Sequence, residues 1–203
     1  MNGQAMLDRV LPRMAKQEAG SGVSFIDALN TAVGVIASRL WEKRSELVRS
    51  TMEVDTDPEP FSLGANFMGL AEDPYAVSAA GQTIGLLPLA PGMRREFHGK
   101  TGPPKYYRLQ GTKLQLFPAP DLAYTLHGEY FVRPGAMTLS SKTPWEGLFD
   151  SVIEDATVRI AVAGETTSIL ADAGFREVIS LSVDSILSSR TNPAPRRSRA
   201  YFQ

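Results

Sequence analysis

YYRLQGTKLQLFPAPD, residues 106–121, decides how the middle of this chain is read. Apolar and polar residues alternate on both sides of Gly111, the period of a strand with one buried face. With Gly111 and Thr112 at the centre of a type II′ turn, Leu109 pairs with Leu114 and Tyr107 with Leu116. Arg108 and Gln110 then oppose Gln115 and Lys113 on the other face. A slip of one residue would turn the whole apolar set to solvent, so the register is self-consistent. Pro118 and Pro120 end the ladder because neither has a backbone N–H to donate.

Toward the C-terminus, residues 123–133 predict a third strand, with Tyr124, Leu126, Tyr130 and Val132 on one face. Pro134 and Gly135 close it. Thr143 as N-cap, Pro144 at the first helical position and Glu146 at the third predict a helix start. Leu148, Phe149, Val152, Ile153, Ala156 and Ile160 follow at helical spacing. Gly164 and Gly174 interrupt the pattern, and a last helix over 175–189 turns Val178, Ile179, Val183, Ile186 and Leu187 inward. Pro193 and Pro195 keep the tail beyond it out of a helix.

Toward the N-terminus, residues 51–105 are punctuated by Pro and Gly and read as loops and short strands. Upstream, residues 6–18 place Leu7, Val10, Leu11 and Met14 at helical spacing before the break at 20–22. Ser24 with Asp27 three residues later forms a capping-box pattern. The stripe Phe25, Leu29, Val33, Ile36, Leu40 and Leu47 carries the next helix to about residue 50, a rod of roughly 40 Å. The fold expected is α+β and mainly α: a helical bundle with a small antiparallel β-hairpin or three-stranded insertion and an extended C-terminal tail. Its parts are N-terminal helices over 1–50, a loop-rich β insertion over 51–142, C-terminal helices of the same domain over 143–189 and a docking tail over 190–203.

A chain of 203 residues can bury a sizeable core without disulfides or metal. An apolar fraction of 43% with mixed charges describes a globular protein. The absence of cysteine excludes a disulfide framework, a thiolate zinc site and a thiol nucleophile. The opening MNGQAMLDRV has no apolar core behind a basic stretch, so no signal peptide is expected, and no window of about 18 apolar residues suggests a membrane span. The net charge of -1 conceals an asymmetry, because residues 190–203 hold four arginines and no acid. An acidic body of this kind argues against a general nucleic-acid-binding domain.

His98 and His127 stand apart from any metal-binding spacing, and no phosphate-cradling or nucleophile-elbow motif is present, so neither a cofactor nor a metal is expected. Glu146, Asp150 and Glu154 fall four apart, with Asp155 beside them, and a pair of such carboxylates could hydrolyse glycans as acid and base. A solvated helix face, with Glu146 near the helix N-terminus, is the stronger reading of those acids. A carboxylate-dependent peptidoglycan hydrolase and a DNA-binding regulator stay open as alternatives. The tail residues Arg196, Arg197, Arg199, Tyr201 and Phe202 are of types enriched at interface anchors and read as a docking segment.

The phrase GPPKYYRLQGTKLQLFPAPD, followed by AYTLHGEYFVRPGAMTLSSKTPWE and a helical block, resembles tailed-bacteriophage head-tail adaptor, or head completion, proteins. Pro104, Tyr107, Leu109, Gly111, Leu114, Leu116, Pro118, Ala119, Pro120 and Asp121 match the family's phrase, as do Tyr130, Arg133, Pro134, Thr143 and Trp145. Gly135 stands where a second proline is common. The likeness covers residues 103–189 well and the N-terminal helices only in kind. It implies a non-enzymatic virion protein of the neck: a ring, commonly a dodecamer, that binds the portal, extends the DNA channel and offers a platform for tail, nozzle or stopper proteins. Genomic DNA would pass through its lumen without specific binding, no membrane would be involved, and assembly would take place in the host cytoplasm. In that setting 190–203 would dock on the portal, and Arg108, Gln110, Gly111, Thr112, Lys113 and Gln115 would form a hairpin interface to a neighbour or the next tail component.

Overall fold

The computed structural model describes residues 1–16, 23–56 and 60–191. The chain divides into two compact units, Met1–Leu40 with Pro134–Gln203, and Trp41–Arg133. Among the described residues nine strands form two sheets, so the fold is mixed α and β. The expected helical bundle with a small hairpin insertion is thereby corrected. The sequence hid the sheets because several of their strands are two to four residues long, too short to show a period of two.

The first unit is helical: α1 (Gly3–Lys16), α2 (Phe25–Glu42), α3 (Asp150–Ala163), α4 (Thr166–Ala171) and α5 (Ala173–Thr191). Helix α2 starts as its cap dictates: the Ser24 hydroxyl accepts from the Asp27 amide at 3.1 Å and donates to the Asp27 carboxylate at 2.6 Å. Its buried stripe runs Ala28, Leu29, Ala32, Val33, Ile36, Ala37 and Leu40. It does not reach residue 50. Arg44 turns left-handed at φ 51°, Ser45 caps a short 3-10 turn over Glu46–Val48, and the chain enters a strand at Arg49. Leu47, read as the end of the helical stripe, lies in that 3-10 turn.

The N-terminal segment and the stretch 137–143 are stitched together in this unit. Asn2 pairs antiparallel with Lys142, the Gly3 amide donates to the Ser141 carbonyl at 3.0 Å, and the Gln4 amide donates to the Leu139 carbonyl at 2.8 Å. The Asn30 side chain accepts from the Met137 amide at 2.7 Å and donates to the Met137 carbonyl at 3.2 Å. The Thr143 hydroxyl and amide both donate to the Met1 carbonyl, so Thr143 holds the N-terminal segment and caps no helix. The expected helix start at Thr143 is corrected: Trp145, Glu146 and Gly147 all take positive φ, at 57°, 55° and 80°, and α3 begins only at Asp150. Phe149, fully buried, meets Trp145 edge-on at 5.4 Å. Phe175, Ile179 and Val183 bury the inner face of α5, while Val178, expected inward, stays 40% exposed.

The second unit is a β-sandwich. One sheet runs β1 (Arg49–Asp55), β9 (Tyr124–Val132), β4 (Tyr75–Ser78) and β5 (Thr83–Gly85), with β3 (Phe67–Leu70) also paired to β9. The other runs β2 (Phe61–Ser62), β8 (Lys113–Phe117), β7 (Tyr106–Gln110) and β6 (Leu87–Pro88), with β6 parallel to β7. Met52, Ala76, Tyr124 and Leu126 from the first sheet join Phe61, Tyr107, Leu114 and Leu116 from the second, with Leu86, in one buried cluster. Strand β9 carries Tyr124 and Leu126 inward as its alternation requires, but Phe131 on the opposite parity is buried as well, with the Arg49 guanidinium 5.9 Å from its ring. No helix among the described residues is long and apolar enough to cross a membrane.

Two substitutions test this packing, one in each unit. A Cβ at Gly3 would stand 2.3 Å from the Thr138 carbonyl oxygen and 2.9 Å from the Leu139 Cα, both backbone atoms that cannot swing aside. Gly3→Ala is therefore expected to lower stability by about 1–3 kcal/mol, read as a fall in the denaturant midpoint. Leu126→Ala, which opens a hole at a fully buried position on β9, should cost about 2–5 kcal/mol by the same measurement.

Candidate functional site

The hairpin β7–β8 forms with the register the sequence required: Leu109 opposite Leu114, Tyr107 opposite Leu116, Arg108 opposite Gln115 and Gln110 opposite Lys113. Gly111 makes the turn at φ 58°, a left-handed value that costs glycine little. The Phe117–Pro118 bond is cis. The hairpin is not a free arm. Strand β2 pairs with β8 through Phe61 and Ser62, the Leu63 amide donates to the Thr112 carbonyl at 2.8 Å, and β6 covers the far edge of β7. Each backbone edge is thus partly occupied, at Lys113 and Leu114 of β8 and at Tyr106 and Tyr107 of β7, and the broadest surface it offers to a partner is its outer face.

That face is built in two parts. Near the base, Tyr106 and Phe117 are paired, and Phe97 lies over them with ring centroids 5.5 Å and 6.4 Å away. Phe97 ends a 3-10 turn over Met93–Phe97, and residues 100–102 are tied to Ala119 by backbone hydrogen bonds of 3.1 Å and 2.9 Å. Further out, Arg108, Gln110, Lys113 and Gln115 carry the same face to the tip. Gln110, Gly111 and Lys113 are exposed, and Arg108, Thr112 and Gln115 half-buried. Arg94, Arg95, Lys100 and Lys105, in the loop that Phe97 anchors, are all exposed. The sequence reading named Arg108 and Lys113 but missed these four, although six basic residues within 94–113 against the single acid Glu96 were there to be counted.

The inner face is fixed by Tyr107, whose hydroxyl donates to the Asp73 carboxylate at 2.6 Å. Burial first, then that bond and the Asp73 charge, push its phenol well above the ordinary range. Tyr124 makes the matching bond to Asp121 at 2.9 Å, and burial again raises its phenol.

The other sequence candidates are dispersed. Glu146 sits in the left-handed turn, off the α3 face that was to align it with Asp150 and Glu154, which corrects the acid stripe. Asp150 lies 3.5 Å from the Met1 amine, Glu154 pairs with Arg9 at 3.2 Å and Asp155 with Arg13 at 2.6 Å. His98 is exposed, and His127 stacks on Tyr75 at 5.3 Å. Among the described residues no cluster of His, Asp or Glu could hold a metal ion. Arg196, Arg197, Arg199, Tyr201 and Phe202 lie outside the described residues.

The relatives of this chain are phage head-tail adaptors. Residues 1–199 match the family model described as SU10 adaptor protein, and the chain belongs to that family. No curated protein matched it. The chain is accordingly a phage adaptor, a virion component that works with other head and tail proteins.

The Tyr107–Asp73 bond gives a pH-dependent expectation. A phenol whose pKa is raised on folding stabilises the fold fully below its ordinary value near 10, and that contribution is lost as pH rises above it. The melting temperature should therefore fall above about pH 10, and Tyr107→Phe should make that fall shallower. The same variant should lose about 1–3 kcal/mol at neutral pH. Melting curves of both proteins from pH 7 to pH 11 decide it.

Proposed function

We propose that this adaptor assembles as a closed ring beneath the portal, commonly twelvefold, extends the DNA channel and gives the tail, nozzle or stopper proteins their platform. The match over residues 1–199 carries the reading, since it reaches both the helical unit and the sandwich. Ring contacts are heterologous, one surface of a subunit meeting a different surface of the next. Helix α5 offers one such surface, with Val178 and Leu181 standing 40% and 62% exposed on it. The segment 190–203 docks on the portal through Arg196, Arg197, Arg199, Tyr201 and Phe202, its arginines unopposed by any acid in that stretch. The outer hairpin face is a second interaction surface.

The glycan-hydrolase alternative loses Glu146 from its acid stripe, and only Asp150 and Glu154 stay four apart on α3. Of its four carboxylates, Glu146 is off the helix, and Glu154 and Asp155 spend their charge on arginines of α1. Portal binding separates the readings. The full chain should bind isolated portal rings and, in complex with them, weigh a whole-number multiple of the subunit mass. A protein ending at Thr191, which keeps α5 entire, should bind at least tenfold more weakly. Equal binding by the shortened protein would remove the docking role of the tail.

A further inference from the structure

The geometry points to a function for the outer face of the β7–β8 hairpin and the loop beside it: Arg108 and Lys113 on that face, with Arg94, Arg95, Lys100 and Lys105 exposed in the adjoining loop, form a basic strip that contacts the phosphate backbone of duplex DNA, independently of sequence. The inference rests on reading that face as an interaction surface and names its partner; it does not rest on portal docking.

Charge separation is the first observation. Residues 93–113 hold six basic side chains and one acid, a net of +5, whereas the rest of the chain, with 15 basic and 21 acidic residues, stands at -6. The overall balance of -1 conceals a concentrated positive stretch inside the sandwich unit, in addition to the arginines of the tail.

Folding makes that stretch one surface. Arg108 and Lys113 point to the outer face by the hairpin register, and Phe97, packed on Tyr106 and Phe117 of that same face, fixes the turn that carries Arg94 and Arg95. The backbone bonds from 100 and 102 to Ala119 hold the return of the loop beside the end of β8. The strip is therefore supported by ordered backbone, so little entropy is lost when it meets a rigid partner.

The cations on it are uncommitted. Arg9, Arg13, Arg39 and Arg49 are each paired with an acid, at 2.6–3.2 Å. None of the six in the strip has an ion-pair partner among the described residues. Like charges gathered around the single acid Glu96 raise the energy of the free protein, and a polyanion relieves that cost.

A phosphate backbone fits better than an acidic protein face. Protein interfaces deplete lysine and bury aromatic anchors, whereas three of these six are lysines and the rings of Phe97 and Phe117 are spent on internal packing. Of the exposed large apolar side chains on this sheet, Leu87 lies at the β6 edge and Leu109 on the Tyr107 side of the hairpin, off the outer face. Gln110 and Gln115 among the cations supply the neutral donors that phosphate contacts also use. Nothing in the strip is arranged to read bases. It offers weak, sliding contact.

The test uses the full chain and a short labelled duplex DNA of arbitrary sequence, titrated at several salt concentrations. Binding should be strong only at low salt, equal for unrelated sequences, and fall with a log–log slope of about -0.9 per phosphate neutralised. The pair Arg95→Gln/Lys113→Gln should weaken low-salt binding about tenfold and reduce the slope by about 2, with the melting temperature unchanged because both side chains are exposed. Arg94→Gln/Lys100→Gln should behave alike. A control changing Arg196, Arg197 and Arg199 to Gln leaves the strip's share of the slope in place. Absence of duplex binding, or binding that depends only on the tail arginines, overturns the proposal. So does a strip variant that binds DNA normally but loses self-association, which would make the strip's partner an acidic protein face. Portal binding measured on the same variants stays normal if the docking reading is right, so failure of one idea does not pass for failure of the other.

Discussion

The sandwich of Trp41–Arg133 depends on one requirement: each of its two small sheets has an apolar face that only the other can cover. Met52, Ala76, Tyr124 and Leu126 on one side and Phe61, Tyr107, Leu114 and Leu116 on the other meet this by burial in a single cluster. Neither sheet would be stable alone, since β2, β5 and β6 bring only two or three residues each. Once the faces are joined, the alternation of every strand assigns its remaining side chains outward. The basic face of the hairpin is a consequence of that core: Arg108 and Lys113 are outside because Tyr107 and Leu114 are inside.

The helical unit solves a different problem, that of closing sequence-distant segments on one another. Residues 1–4 lie against 139–143, and Asn30 bonds both backbone groups of Met137 across 107 positions. Arg9, Arg13 and Arg39 reach acids more than 140 residues away. Arg13 and Asp155 are well exposed, so their pair adds little to stability, whereas the backbone bonds and the fully buried Met6, Val10 and Ile153 fix the arrangement. A close approach of backbone at Gly3 follows directly.

Surfaces are what periodicity reads least well. The acids after Pro144 looked like a stripe only while the helix was taken to start at Thr143. Three successive left-handed residues end that alignment, and arginines of α1 take up Glu154 and Asp155. The basic loop at 93–105, passed over as punctuation, became part of a face because a single aromatic ring, Phe97, seats it on the hairpin.

Local chemistry was legible in the sequence alone. The hairpin register, the glycine turn, the Ser24 cap and the stripe from Leu29 to Leu40 all depend on neighbours within a few residues. The phrase around residues 104–121 also carried the adaptor resemblance, which the family match confirms. Only the tertiary structure decided that α2 stops at Glu42, that strands of two to four residues complete two sheets, and that Thr143 serves the N-terminal segment. The physical reason is common to all three. A short strand or a capping hydroxyl has several acceptable local partners, and the choice falls to whichever arrangement buries the shared core while leaving no backbone donor or acceptor unpaired.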